Sequence, residues 1–242
     1  KLVANEDAEA PSLEKTVTHH AGEDWHRRIE RKPVPFLIAT LVVILIGGII
    51  EMVPTFLIKS NVPTISSVKP YTPLELQGRD IYRREGCYNC HSQMIRPFRW
   101  ETERYGEYSK AGEFVYDHPF QWGSKRTGPD LAREGGKQLD KWHFVHFLYP
   151  DAMSPGTIMP SYAFMIDKDL DTASTPAKIK AMRTMGVPYP KDYEYIANKD
   201  LMDQATKIQS NLINGSDSLR VKANAEVIAI IAYLQRLGTD TE

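Results

Sequence analysis

Cysteine is nearly absent: Cys87 and Cys90 are the only two, with two residues between them, so no framework of spaced disulfides holds this fold. An excess of charge of one sign is lacking as well. Thirty Lys and Arg stand against thirty-one Asp and Glu, for a net charge of −1, so nothing global points to nucleic acid or to an acidic substrate. No internal repeat and no sustained strand alternation is found, which leaves helical periodicity as the main signal. A start methionine is missing too, and Lys1 reads as the first residue of a processed, truncated or fused product whose beginning lies upstream. A length of 242 residues suits one well-cored domain plus extensions, or two small domains; we expect one main domain.

Long apolar runs are limited to one. Residues 1–32 are polar, acidic at the start (Glu6, Asp7, Glu9) and basic at the end (Arg27, Arg28, Arg31, Lys32), and read as a flexible tail or linker. From Val34 to Ile50 every residue is apolar or Thr, Pro or Gly, and the run resumes after Glu51 as far as Ile58. A helix over this stretch rises about 36 Å at about 1.5 Å per residue, enough to cross a hydrocarbon core of about 30 Å. A cleaved signal peptide is the rival reading, but it has a shorter apolar region followed by a small-residue cleavage site. The transmembrane helix is therefore set at 33–58, with Pro54 bending its outer end. The four basic residues before it place the N-terminus in the cytoplasm and export everything from residue 59 onward. A Pro- and Ser-containing linker (59–73) leads to a helical pattern from Leu74 to Gly86. A second pattern, Val227 to Leu237, stops at Gly238, a suitable left-handed cap. These two are the expected packing pair, and Gly78 lets their backbones approach against Tyr233 or Leu234.

Cys87-Tyr88-Asn89-Cys90-His91 is the C-x-x-C-H attachment sequence for c-type haem: the thiols add to the vinyl groups and the imidazole ligates the iron. A thioredoxin-like pair wants a βαβ context and a zinc site wants four ligands, and neither is visible. The sixth ligand comes from elsewhere, and Met94 is too close to His91 to reach the other haem face. Met159 is preferred, because Ser154 to Tyr162 is a loop stiffened by Pro155 and Pro160; His143 or His146 is the bis-histidine alternative, and His118 reads as structural. Gly128-Pro129-Asp130-Leu131 is the expected second shell, with the Pro129 carbonyl accepting from His91. Arg96, Arg99, Arg104, Lys125 and Arg126, interleaved with aromatics, suggest haem propionates or a protein interface rather than nucleic acid.

With these residues in view, the chain resembles the mono-haem subunit (subunit II, CcoO/FixO family) of cbb3-type cytochrome c oxidases, the C-type haem-copper oxidases. The likeness rests on His91-Ser92-Gln93-Met94-Ile95-Arg96-Pro97-Phe98-Arg99, Glu101-Thr102-Glu103-Arg104-Tyr105-Gly106, Tyr116-Asp117-His118-Pro119-Phe120, Trp122 to Leu131, and Met159-Pro160-Ser161-Tyr162. It implies a mainly α protein, one N-terminal transmembrane helix plus a class I-like cytochrome c domain (74–238) with a long loop insertion. It also implies one covalently bound haem c on Cys87 and Cys90, with His91 and Met159 as axial ligands. The implied partners are membrane lipid, oxidase subunit I and a di-haem subunit III, with no nucleic acid. By the same resemblance, electrons are expected to pass from subunit III or a soluble donor to the haems b of subunit I, where oxygen is reduced, with the haem domain in the periplasm of a bacterial inner membrane. The polar leader departs from the family pattern and fits a linker fusing this chain to subunit I.

Two other readings compete. A free-standing anchored electron shuttle would want a long tether and a compact domain, and a scaffold with an idle haem would tolerate loss of the sixth ligand. The segment from Asp167 to Ala225 carries no nameable chemistry and reads as family-variable surface; the glycosylation-like Asn214-Gly215-Ser216 is taken as chance.

Overall fold

A computed structural model describes residues 24–57, 63–214 and 219–241. Most of the polar N-terminal segment, the start of the linker after the span, and Gly215 and Ser216 lie outside them. The chain divides into two units, residues 1–61 and 62–242.

In the first unit, α1 (Trp25–Glu30) precedes α2 (Pro33–Leu57). At 25 residues α2 is about 37 Å long, and it runs through Pro54. Its large apolar side chains are exposed, Leu37, Val43 and Ile50 each by more than 60%. Among the described residues it is the one helix long and apolar enough to cross a membrane.

The second unit is helical, and its only β pairing among the described residues is an isolated bridge, Asp169 to Ala225. Its helices are α3 (Pro73–Arg84), α4 (Arg99–Tyr105), α5 (Asp140–Leu148), α6 (Pro150–Met153), α7 (Thr175–Thr184), α8 (Ala197–Asn214) and α9 (Glu226–Arg236). Thr72 starts α3 with a reciprocal capping box: Glu75 N–H donates to Thr72 Oγ1 at 3.3 Å, and Thr72 N–H to Glu75 Oε2 at 2.8 Å. Pro73 occupies the first turn, where no N–H is needed. α9 is buried on every side from Glu226 to Leu234, which marks it as the central helix. Gly238, at φ +78°, follows it in the left-handed region, as the sequence pattern predicts.

α3 and α9 pack together more extensively than any other pair. A Cβ on Gly78 would lie 2.0 Å from the Ala229 carbonyl oxygen and 2.8 Å from Tyr233 Cβ. Tyr233 was anticipated and Ala229 was not. The pair is also clamped at one end, where Arg84 grips both carboxylate oxygens of Glu226, one at 2.8 Å.

The segment from Asp167 to Ala225 corrects the expectation of surface turns, because it contains α7 and α8. Leu201, Ala205, Ile208 and Leu212 form a buried stripe of α8 that joins the main core with Leu74, Phe144, Phe147 and Ile231. Ile179 and Met182 of α7 form a second cluster with Leu76, Val187 and Tyr189. The polar residues that dominated the reading occupy the opposite, solvated faces.

Gly78→Ala drives a methyl group into the α9 backbone. We expect a loss of about 3 kcal/mol or more, at the upper end of overpacking effects, read as a lowered melting temperature of the purified protein.

Candidate haem site

Gly86, at φ +72°, turns the chain out of α3 and into a single 3₁₀ turn, Cys87–Asn89. His91 N–H closes the turn by donating to the Cys87 carbonyl at 2.9 Å, so both thiols and the imidazole sit within about one turn of backbone. The strip that follows is tied to the loop 122–131. Gly128 N–H donates to Cys90 O (2.9 Å), Leu131 N–H to Ser92 O (2.8 Å) and Gln93 N–H to Trp122 O (2.8 Å).

His91 Nδ1 lies 2.9 Å from the Pro129 carbonyl oxygen. A carbonyl only accepts, so Nδ1 carries the proton and Nε2 keeps its lone pair. Burial lowers the His91 pKa, opposed by that hydrogen bond and by Asp130, so the ring is neutral at ordinary pH. Gly128 packs flat on the same ring: a Cβ there would stand 2.3 to 2.8 Å from three ring atoms. Burial pushes the Cys87 thiol up to about 12, and Cys90 is exposed.

Asp130 locks this loop to the strip after His91. Its Oδ2 accepts from Ser92 Oγ and from Met94 N–H at 3.0 Å, and its Oδ1 from Ala132 N–H at 2.8 Å. Arg126 spans the back of the same network, donating to Ser92 Oγ (2.7 Å), Met94 O (2.9 Å) and Glu101 Oε2 (2.6 Å). Glu101 is fully buried between Arg126 and Arg96. Burial by itself would raise its carboxyl, but hydrogen bonds and charge from the two arginines outweigh this and hold it at about 2.

Cys87, Cys90, His91 and Pro129 all line one cavity of about 390 Å³, together with Tyr82, Leu131, Phe147, Ile230 and Leu234 from the core. Met159 lines it as well, alone among the methionines. His143 and His146 of α5 also line it, so the structure gathers the preferred sixth ligand and its bis-histidine alternative, while Met153, Met165, Met182, Met185 and Met202 lie elsewhere. His118 does not line it. None of the five cations assigned to propionates or an interface lines it either: Arg96 and Arg126 turn to Glu101, Arg99 pairs with Glu103, and Arg104 covers the Tyr105 ring. Among the described residues no group of three or more His, Cys, Asp or Glu could hold a metal ion.

Residues 26–241 match the family described as cytochrome c oxidase, mono-haem subunit (FixO). The chain belongs to this family. No curated protein matches it. A FixO-family subunit carries one haem, and the cavity suits that group: largely apolar walls, two free thiols at its mouth, one oriented imidazole and one thioether.

Sequence reading missed the packing role of Gly128, the Glu101 hinge between two arginines, and the contributions of Trp142 and Glu134 to the lining. Gly128 carried a signal, since a glycine just before the loop proline leaves room for a ring.

Two outcomes follow from this geometry. Gly128→Ala displaces the His91 ring and breaks its bond to Pro129, seen as a changed low-spin haem spectrum. Glu101→Gln destabilises by about 3 kcal/mol at neutral pH, the scale for breaking a buried ion pair. Because the native carboxyl lies at about 2 against 4.5 unfolded, its contribution is complete above 4.5 and lost as pH falls towards 2. The melting-temperature gap between parent and variant therefore closes over that interval.

Proposed function

We propose that this chain is the membrane-anchored electron-transfer subunit of a cbb3-type terminal oxidase, with a c-type haem fixed by thioether bonds to Cys87 and Cys90 and ligated by His91 and Met159. The observation that carries this reading is the convergence of Cys87, Cys90, His91 and Met159 on one cavity. The helix over 33–58 serves as the anchor, 59–73 as the linker and 74–238 as the haem domain. Arg27, Arg28, Arg31 and Lys32 before α2 favour a cytoplasmic N-terminus and a periplasmic haem domain in the inner membrane.

When bound, the haem supplies reversible one-electron transfer. A His/Met pair favours a raised potential, suited to carrying electrons rather than binding oxygen. The chain's own residues supply the rest. Pro129 fixes the His91 tautomer, and Gly128 packed against the ring fixes its plane. Thr157 Oγ1 accepts from Met159 N–H at 3.2 Å and steadies the loop behind the thioether. Phe147, Leu131, Ile230 and Leu234 exclude water, which limits reorganisation on electron transfer. Electrons arrive from a di-haem subunit III or a soluble donor and leave for the haems b of subunit I, the site of oxygen reduction.

The complex that co-purifies with this chain in mild detergent is expected to show b-type and c-type haem in a reduced-minus-oxidised spectrum and to consume oxygen. Finding c-type haem alone, with no oxygen uptake, would point to the free shuttle. Met159→Leu is expected to keep the covalent haem, lose the methionine-to-iron charge-transfer band and cut oxygen uptake at least tenfold. Unimpaired uptake in the assembled variant would favour the scaffold reading.

A further inference from the structure

One charge lies inside the apolar span. Between Lys32 and Lys59 the sequence has a single ionisable residue, Glu51, and it falls within α2. Lys59 follows eight positions later, about 12 Å along a helix axis. Helical side chains lean towards the N-terminus, so the Glu51 carboxylate is directed back into the apolar stretch and away from Lys59. It is exposed, and among the described residues it has no ion-pair or hydrogen-bond partner. The nearby Thr55 hydroxyl donates instead to the Glu51 backbone carbonyl, at 3.3 Å. Pro54, also inside α2, has no N–H and leaves the Ile50 carbonyl without the donor of an unbroken helix. Two adjacent acceptors, one of them charged, are thus left open at a depth where lipid has no donor to offer.

This step rests on the proposed function, in which residues 33–58 cross the membrane as part of a multisubunit oxidase. A carboxylate in a membrane interior is held by a cation that shares its depth. A second, parallel copy of this chain supplies none, since its span brings another Glu51 and no Lys or Arg. Gly47 and Gly48 stand four and three positions before Glu51 and so lie on its side of the helix. A Cβ on Gly47 would meet nothing within 4 Å, and one on Gly48 only Met52 Cε at 3.7 Å, so no contact within α2 requires glycine there. Ile38, Val42, Leu45 and Ile49 occupy the opposite side, which suits lipid. Small residues beside a polar one let two membrane helices approach closely around a polar contact.

We propose that the face of α2 carrying Gly47, Gly48 and Glu51 docks a transmembrane helix of a different subunit, which brings an Arg or Lys to the level of Glu51. That cation pairs with the carboxylate and has further N–H groups for the Ile50 carbonyl. The pair fixes the rotation of α2 about its own axis, a choice that apolar contact with lipid does not make. The anchor is on this account also a specific subunit contact.

The experiment uses the assembled complex, purified in mild detergent through a tag on this chain and then heated in steps. The ratio of b-type to c-type haem that stays together reads the contact between subunits. Glu51→Leu and Glu51→Gln are both expected to lose b-type haem at a lower temperature than the parent, and Gln no later than Leu, because a neutral amide leaves the partner's cation unpaired. Gly47→Leu is expected to act in the same direction, and Ile49→Ala, on the lipid side, to behave as the parent. Parental behaviour of both Glu51 variants would overturn the proposal, and so would a parental Gln beside a weakened Leu, which would make the partner a neutral donor. If the Glu51 variants do not accumulate, Gly48→Cys decides, since it keeps Glu51 and carries the one thiol not committed to haem. A photo-crosslinker on that thiol is expected to reach a membrane segment of another subunit that contains Arg or Lys. Adducts with lipid alone, with a second copy of this chain or with a segment lacking both cations would overturn the proposal. The parent is measured first: absence of b-type haem from its preparation would remove the proposed function itself, whereas its presence leaves the variants to test this contact alone.

Discussion

The close crossing of α3 and α9 at Gly78 is the contact on which the rest of the haem domain depends. With backbone against side chain at that point, Tyr82 and Tyr233 come to ring centroids 5.4 Å apart, and Tyr233 Oη reaches Gln93 Oε1 at 3.1 Å. Gln93 lies two residues beyond His91, so the crossing fixes the strip after the C-x-x-C-H turn as well as the turn itself. α3 delivers Cys87, and α9 supplies Ile230 and Leu234 to the wall that faces it. A wider crossing would separate the thiols from that wall.

Around this apolar centre the polar chemistry is arranged in two kinds of place. Where loops must be held, charges are paired: Glu101 meets two arginines, and Asp130 accepts from Ser92, Met94 and Ala132. These paired carboxylates give the loop one arrangement. Where the cofactor is expected, the wall is mostly apolar and Glu134 is its one charged residue. Arg96, Arg99 and Arg126, which look in sequence like partners for anionic groups, are already paired with the protein's own carboxylates.

The span, the C-x-x-C-H turn, the terminal helix pair and the Pro129 acceptor were legible in the sequence, because each depends on local pattern or short spacing. The place of Met159 in the cavity wall was legible through the prolines that flank its loop. The assignment of Arg126 was not, since its partner Glu101 lies twenty-five residues away and only folding reveals that the pair is buried. α8 was misread for a different reason. Its apolar positions, Leu201, Ala205, Ile208 and Leu212, include a small alanine and are diluted by polar residues on the solvated face, so the stripe carries little weight until the core it meets is known. Gly128 lies between the two cases: a glycine before the loop proline hints at a close approach, but the ring it meets is thirty-seven positions earlier and only the fold names it.

The cavity also bears on how folding and cofactor binding are related. A space of about 390 Å³ walled by Leu131, Phe147, Ile230 and Leu234 is a poor minimum for a protein alone. Filling it restores dispersion contacts along the walls, so the occupant stabilises the native state over the unfolded one. Thioether attachment would make this gain permanent, since the group then cannot leave at any dilution. The same interactions that tune an electron carrier would on this account contribute to holding its helices together, and the stability of α5 and of the Met159 loop becomes inseparable from the redox centre they enclose.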